Sequence, residues 1–137
     1  DAHENFYCVA AGNTFGTGAD NEYTGRYQLD KASMDRFVTI RVNYDKRIEK
    51  NLCGNNDALI EFAHDFREAV NACGISCLFT YRAVKRLHKF VDYMSKEEAI
   101  DIGLTKGLAA DDIRMVYNKL KKPGNEWAEA LKRVSDL

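Results

Sequence analysis

The chain has 137 residues, 45% apolar and 30% charged, with a net charge of −1. That length supports one domain with a real core, and the balance argues against a disordered chain. A chain so close to neutral has no bulk field to draw it to a membrane surface or to nucleic acid, so neither is expected as a partner.

Residues 5–11, Asn-Phe-Tyr-Cys-Val-Ala-Ala, form a short continuous apolar run of the kind found in buried parallel strands. Residues 12–27 carry Gly12, Gly16, Gly18 and Gly25 among Asn, Thr and Asp, which predicts a loop with tight turns. Asp30 can cap a short helix reaching Arg36. Residues 37–44 alternate Val38, Ile40 and Val42 with Thr39, Arg41 and Asn43, which predicts a second strand.

The rest reads as helical. One helix is expected over about 45–52, stopped at Cys53-Gly54. A longer one starts at Asn56-Asp57, with Leu59, Ile60, Phe62, Ala63, Phe66 and Val70 on one stripe, and ends at Gly74. Thr80 can cap the next, whose apolar positions are Val84, Leu87, Val91 and Met94. Ser95-Lys96-Glu97-Glu98 has the pattern of a capping box. Ala109-Ala110-Asp111-Asp112 opens another helix, which ends before Pro123-Gly124, and residues 125–137 form a last amphipathic helix around Trp127. The fold class is therefore an α/β fragment, residues 1–52, joined to an all-α part, residues 53–137, and is mostly helical.

Cys8, Cys53, Cys73 and Cys77 match neither a CxxC redox motif nor a zinc spacing, and reduced thiols are expected. His3, His64 and His88 are scattered, and His64 and His88 are expected at the surface or its boundary. Lys85-Arg86 and the run Lys119-Leu120-Lys121-Lys122 read as solvated faces rather than a nucleic-acid patch, because acids such as Asp111 and Asp112 interleave among the basic groups. No leader is visible and no apolar run nears the ~20 residues that a membrane helix needs, so a cytoplasmic location is expected.

Three polar features stand out. Asn13 follows a strand-like run, at the sheet edge where α/β proteins place ligands; an Asn there can equally hold a turn. Arg36 sits in Met34-Asp35-Arg36-Phe37 just before the second strand, and Arg26 in Tyr23-Thr24-Gly25-Arg26; either suits phosphate recognition or a local carboxylate. Arg82 falls in the first turn of a helix capped by Thr80, where a cation opposes the helix dipole and an approaching anion would relieve it.

The order of these features resembles the second half of AAA+ modules. It is most similar to the MoxR/CobS group, in which a Gly-Asn-Thr loop leads to Leu-Asp-x-Ala-x-x-Asp-Arg-Phe. Here the loop is Gly12-Asn13-Thr14 and the run is Leu29-Asp30-Lys31-Ala32-Ser33-Met34-Asp35-Arg36-Phe37, followed later by Tyr81-Arg82-Ala83. The likeness covers residues 5–44 and 76–94. It implies that Asn13 is the sensor-1 residue, Arg36 the arginine finger that reaches a neighbouring subunit's nucleotide, and Arg82 the sensor-2 residue of a helical lid. Arg26 is the second choice for the finger.

The resemblance implies ATP and Mg2+ as cofactors of the intact protein, a ring oligomer, usually a hexamer, and chaperone-like remodelling or metal insertion alongside a von Willebrand-type partner. The sequence departs from the family in two places. It contains no GxxxxGK[ST] and no strand ending in paired acids ahead of Asn13. The expectation is a fragment that is inactive alone. The competing expectation is a non-enzymatic helical protein-interaction module.

Overall fold

The structure is a computed structural model and describes residues 3–11 and 35–136. Contacts divide the chain into two units, Asp1–Arg41 and Val42–Leu137.

In the first unit the expected strand at 5–11 is not formed. His3 makes a turn instead, its carbonyl accepting from Phe6 N–H at 2.8 Å and its Nδ1 from Asn5 N–H at 3.2 Å. Residues 37–44 are likewise without strand structure. Phe6, Tyr7, Val9, Val38, Ile40 and Val42 are all exposed. Apolar alternation suits a strand only when a neighbouring strand takes up its N–H and C=O groups and another layer covers its face. Among the described residues neither segment has such a neighbour. Of the short helix expected to run from Asp30, only Asp35 and Arg36 lie within the described residues.

The second unit is helical. Helix α1 is Lys46–Cys53, α2 Asp57–Cys73, α3 Tyr81–Phe90, α4 Lys96–Gly103, α5 Ala110–Lys119 and α6 Glu126–Ser135. Local signals place most of their ends. Asp45 caps α1 by accepting from Arg47 N–H, and Asn56 caps α2 by accepting from Leu59 N–H. Gly74 closes α2 in the left-handed region, with φ 66°. Its N–H reaches Asn71 O and Ile75 N–H reaches Val70 O, a Schellman closure. Thr80 caps α3, and Ser95 with Glu98 forms both halves of a capping box at α4. Val91 and Met94, expected on the third helix's stripe, lie beyond its end but still pack against the core.

The core is built around α2. Leu59, Ile60, Phe62, Ala63, Phe66, Ala69 and Val70 are all buried. Phe62 stacks on Trp127 with centroids 6.4 Å apart, and Phe66 meets Phe79 edge-on at 5.6 Å. Helices α4 and α5 pack on α6, α5 and α6 on α2, and α3 on α4. Helix α1 packs against α2 and α3, with Cys53 in the core, so it belongs to the helical unit.

The link between α5 and α6 is strapped to α2. The Asp65 carboxylate accepts from the N–H groups of Lys121 and Lys122 at 3.0 and 2.9 Å. The Lys122 ammonium reaches Glu61 at 2.9 Å, and Lys121 pairs with Glu68. Asn125 Nδ2 donates to Ala58 O at 2.8 Å, which seats the start of α6 beside the start of α2.

Candidate functional site

Helix α3 carries Arg82, Lys85, Arg86 and Lys89, and no acid, between Tyr81 and Phe90. Ala83, Val84 and Leu87 turn inward, so these four cations share the outer face. Arg86 is tied down by donating to Gly103 O at 2.5 Å. Arg82 is exposed and pairs with no carboxylate among the described residues. It lies in the first helical turn, whose N–H groups and dipole already favour a negative charge. Thr80 Oγ1 occupies the Ala83 N–H at 3.3 Å. The result is an exposed guanidinium beside a positive helix end.

The base of this helix is held from below. Arg67 of α2 donates from Nε to Phe79 O at 2.6 Å and from Nη2 to Glu49 Oε1 at 2.6 Å. Glu49 of α1 is fully buried, and its other oxygen lies 2.7 Å from His64 Nε2. The Arg67 guanidinium carbon sits 3.7 Å from the centroid of the Tyr44 ring. Tyr44 in turn meets Tyr81 edge-on at 5.0 Å, and the Tyr81 hydroxyl accepts from Asp45 N–H at 2.6 Å. A buried ion pair, two aromatic rings and a backbone carbonyl thus converge just before Thr80.

Asn13 and Arg26 lie outside the described residues. Arg36 is exposed and belongs to the first unit, whereas Arg82 belongs to the second. His64 is at the boundary as expected, but its partner is a buried carboxylate. Tyr81 is half-buried and packs on Tyr44.

Glu49 and Arg67 escaped sequence reasoning. Helix α1 offers Ile48 and Leu52 as apolar residues, yet Ile48 is 46% exposed while Glu49 is fully buried. One signal was present. Arg67 lies one position beyond Phe66, on the edge of the α2 stripe, where a long cation can run along apolar surface.

Among the described residues no three His, Cys, Asp or Glu side chains group as a cation site. None of the described helices is long and apolar enough to cross a membrane. No family model, curated protein or solved structure matches the chain.

Proposed function

We propose that this chain is the nucleotide-sensing and subunit-contacting part of an AAA+ ATPase of the MoxR/CobS type. Such a protein couples ATP hydrolysis in a ring to remodelling of, or metal insertion into, a partner protein. One observation carries the reading: Arg82 is exposed in the first turn of α3, with no carboxylate partner among the described residues and no acid anywhere on that helix. Stability alone gives no reason for a cation there. A phosphate oxygen arriving from a bound nucleotide supplies one. The order Gly12-Asn13-Thr14, then Leu29 to Phe37, then Tyr81-Arg82-Ala83 supports the same assignment.

The residues of this chain suit sensing a triphosphate rather than cradling it. The sequence has no glycine-rich phosphate loop with its lysine, and Mg2+ with its acidic ligand would be held by residues that the family places elsewhere. Asn13 would orient groups at the γ-phosphate, Arg82 would contact it from the helical lid, and Arg36 would reach across to the neighbouring subunit's nucleotide.

The test uses the assembled protein that carries this segment together with a phosphate loop. Arg36→Ala should cut turnover by about 10³–10⁵, the range for an arginine acting in trans, while nucleotide binding persists. Arg82→Ala should uncouple lid position from nucleotide state. The chain by itself should neither bind ATP tightly nor hydrolyse it. Normal turnover with Arg36→Ala would transfer the role to Arg26. Normal behaviour of both Arg36→Ala and Arg82→Ala would favour a helical interaction module instead.

A further inference from the structure

We propose that Arg67 is the positioning residue for Arg82, acting through the Phe79 carbonyl. This rests on the reading that Arg82 meets a nucleotide phosphate. Arg67 never reaches that surface itself, since its side chain is only 12% exposed. It holds the segment that leads into α3.

Three contacts fix its plane. Nη2 meets the buried Glu49 carboxylate of α1 at 2.6 Å. Nε meets Phe79 O at 2.6 Å, one residue before the Thr80 cap. Its face lies on Tyr44, 3.7 Å from the ring centroid. The remaining nitrogen, Nη1, is buried without a hydrogen-bond partner among the described residues. The guanidinium is therefore held in this pose by ring and carboxylate together, not by full pairing. The planar fork can serve Glu49 and Phe79 at once, which an ammonium cannot do with the same geometry.

Phe79 is fixed at its other side as well, because its ring is buried against Phe62 and Phe66. Only Thr80 and Tyr81 separate it from Arg82. Tyr81 is secured in turn by the Tyr44 ring and by the Asp45 N–H. Moving the Phe79 carbonyl therefore moves the start of α3, and Arg82 with it. Small misplacements of a group that contacts a reacting centre are costly, up to about 100-fold for 1 Å.

The experiment is a double-mutant cycle in the assembled ATPase, read as turnover and as ATP binding. Arg67→Lys keeps a cation beside Glu49 but loses the fork. It should lower turnover by about 10–100-fold with little change in ATP binding, and add no further loss when Arg82 is already alanine. Tyr81→Phe, which leaves the Arg67–Glu49 pair in place, should give a smaller loss with the same dependence on Arg82. In hydrogen exchange on the chain itself, Arg67→Lys should release the Ala83 and Val84 amides more than those of α6. An equal Arg67→Lys loss in both backgrounds would overturn the positioning role while leaving the nucleotide reading intact. Uniform loosening of all helices would do the same, by reducing Arg67 to a merely structural part. If Arg82→Ala alone changes nothing, the assignment of Arg82 to the nucleotide phosphate falls and this inference falls with it.

Discussion

Glu49 is the most deeply buried charged residue described in the helical unit, and it meets Arg67 at 2.6 Å across the α1–α2 contact. Burying two charges gains little net stability over an apolar pair, but removing one partner strands the other. Glu49→Ala should therefore destabilise the chain by about 3–5 kcal/mol. Glu49→Gln, which keeps hydrogen-bonding capacity, should cost less. Urea unfolding measures both, and a loss below about 1 kcal/mol for the alanine variant would contradict the buried pairing.

Arg82 gives the opposite sign. Its side chain is exposed at the positive end of α3 with no carboxylate partner among the described residues. Arg82→Glu should stabilise the isolated chain by about 0.3–1 kcal/mol, because an acid suits the first turn. A fall in melting temperature would mean that Arg82 supports the fold.

Gly103 closes α4 where that helix crosses α3. A Cβ at this position would stand 2.8 Å from Leu87 Cδ2, and Leu87 is itself fully buried. Gly103→Ala should cost about 1–3 kcal/mol by overpacking. The damage should be partly relieved by Leu87→Ala in the same chain, since the two sites share one contact. Strict additivity of the two losses would argue against a direct clash.

Acid should weaken the surface straps. Hydrogen bonds from Lys122 and Lys121 hold the Glu61 and Glu68 carboxyls below their ordinary value of 4.5. Backbone hydrogen bonds, aided by Arg133 and by the Ser95 hydroxyl respectively, do the same for Glu97 and Glu98. Each folded-state pKa lies below its unfolded value, so the contribution is complete above about pH 4.5 and is lost as pH falls through the lowered values. Melting temperature should hold from pH 7 to 5, then drop. The drop should be smaller in 1 M salt, where exposed pairs are already screened. A flat profile down to pH 3 would mean these pairs contribute nothing.

The thiols should separate by reactivity. Cys53 is buried, and desolvation, reinforced by the nearby Glu49 and Asp57 carboxylates, pushes its pKa above the ordinary 9.0. Its Sγ–H is also engaged with Glu49 O at 3.0 Å. Cys8 is exposed. With iodoacetamide at pH 8, Cys8 should be labelled in the folded chain and Cys53 only on unfolding. Equal labelling rates by mass spectrometry would show that α1 opens readily from the helical unit.

The sequence by itself determined the helix boundaries of the second unit wherever a cap was local. Asn56, Gly74, Thr80 and Ser95 with Glu98 each bond within a few residues of themselves, so their chemistry can be read in order. The inward stripe of α2 and the first-turn place of Arg82 were legible for the same reason. What needs a distant partner was decided by tertiary structure. The runs at 5–11 and 37–44 have strand-like patterns, but a strand exists only where a neighbouring strand pairs with it, and among the described residues neither run forms one. Helix α1 joined the helical unit against its own apolar pattern, turning Glu49 inward and leaving Ile48 half out. It could do so because α2 supplies His64 and Arg67, 15 and 18 positions further along, to meet both carboxylate oxygens. A buried charge is tolerable only where such partners arrive, and their arrival depends on how the helices pack rather than on any local run of residues.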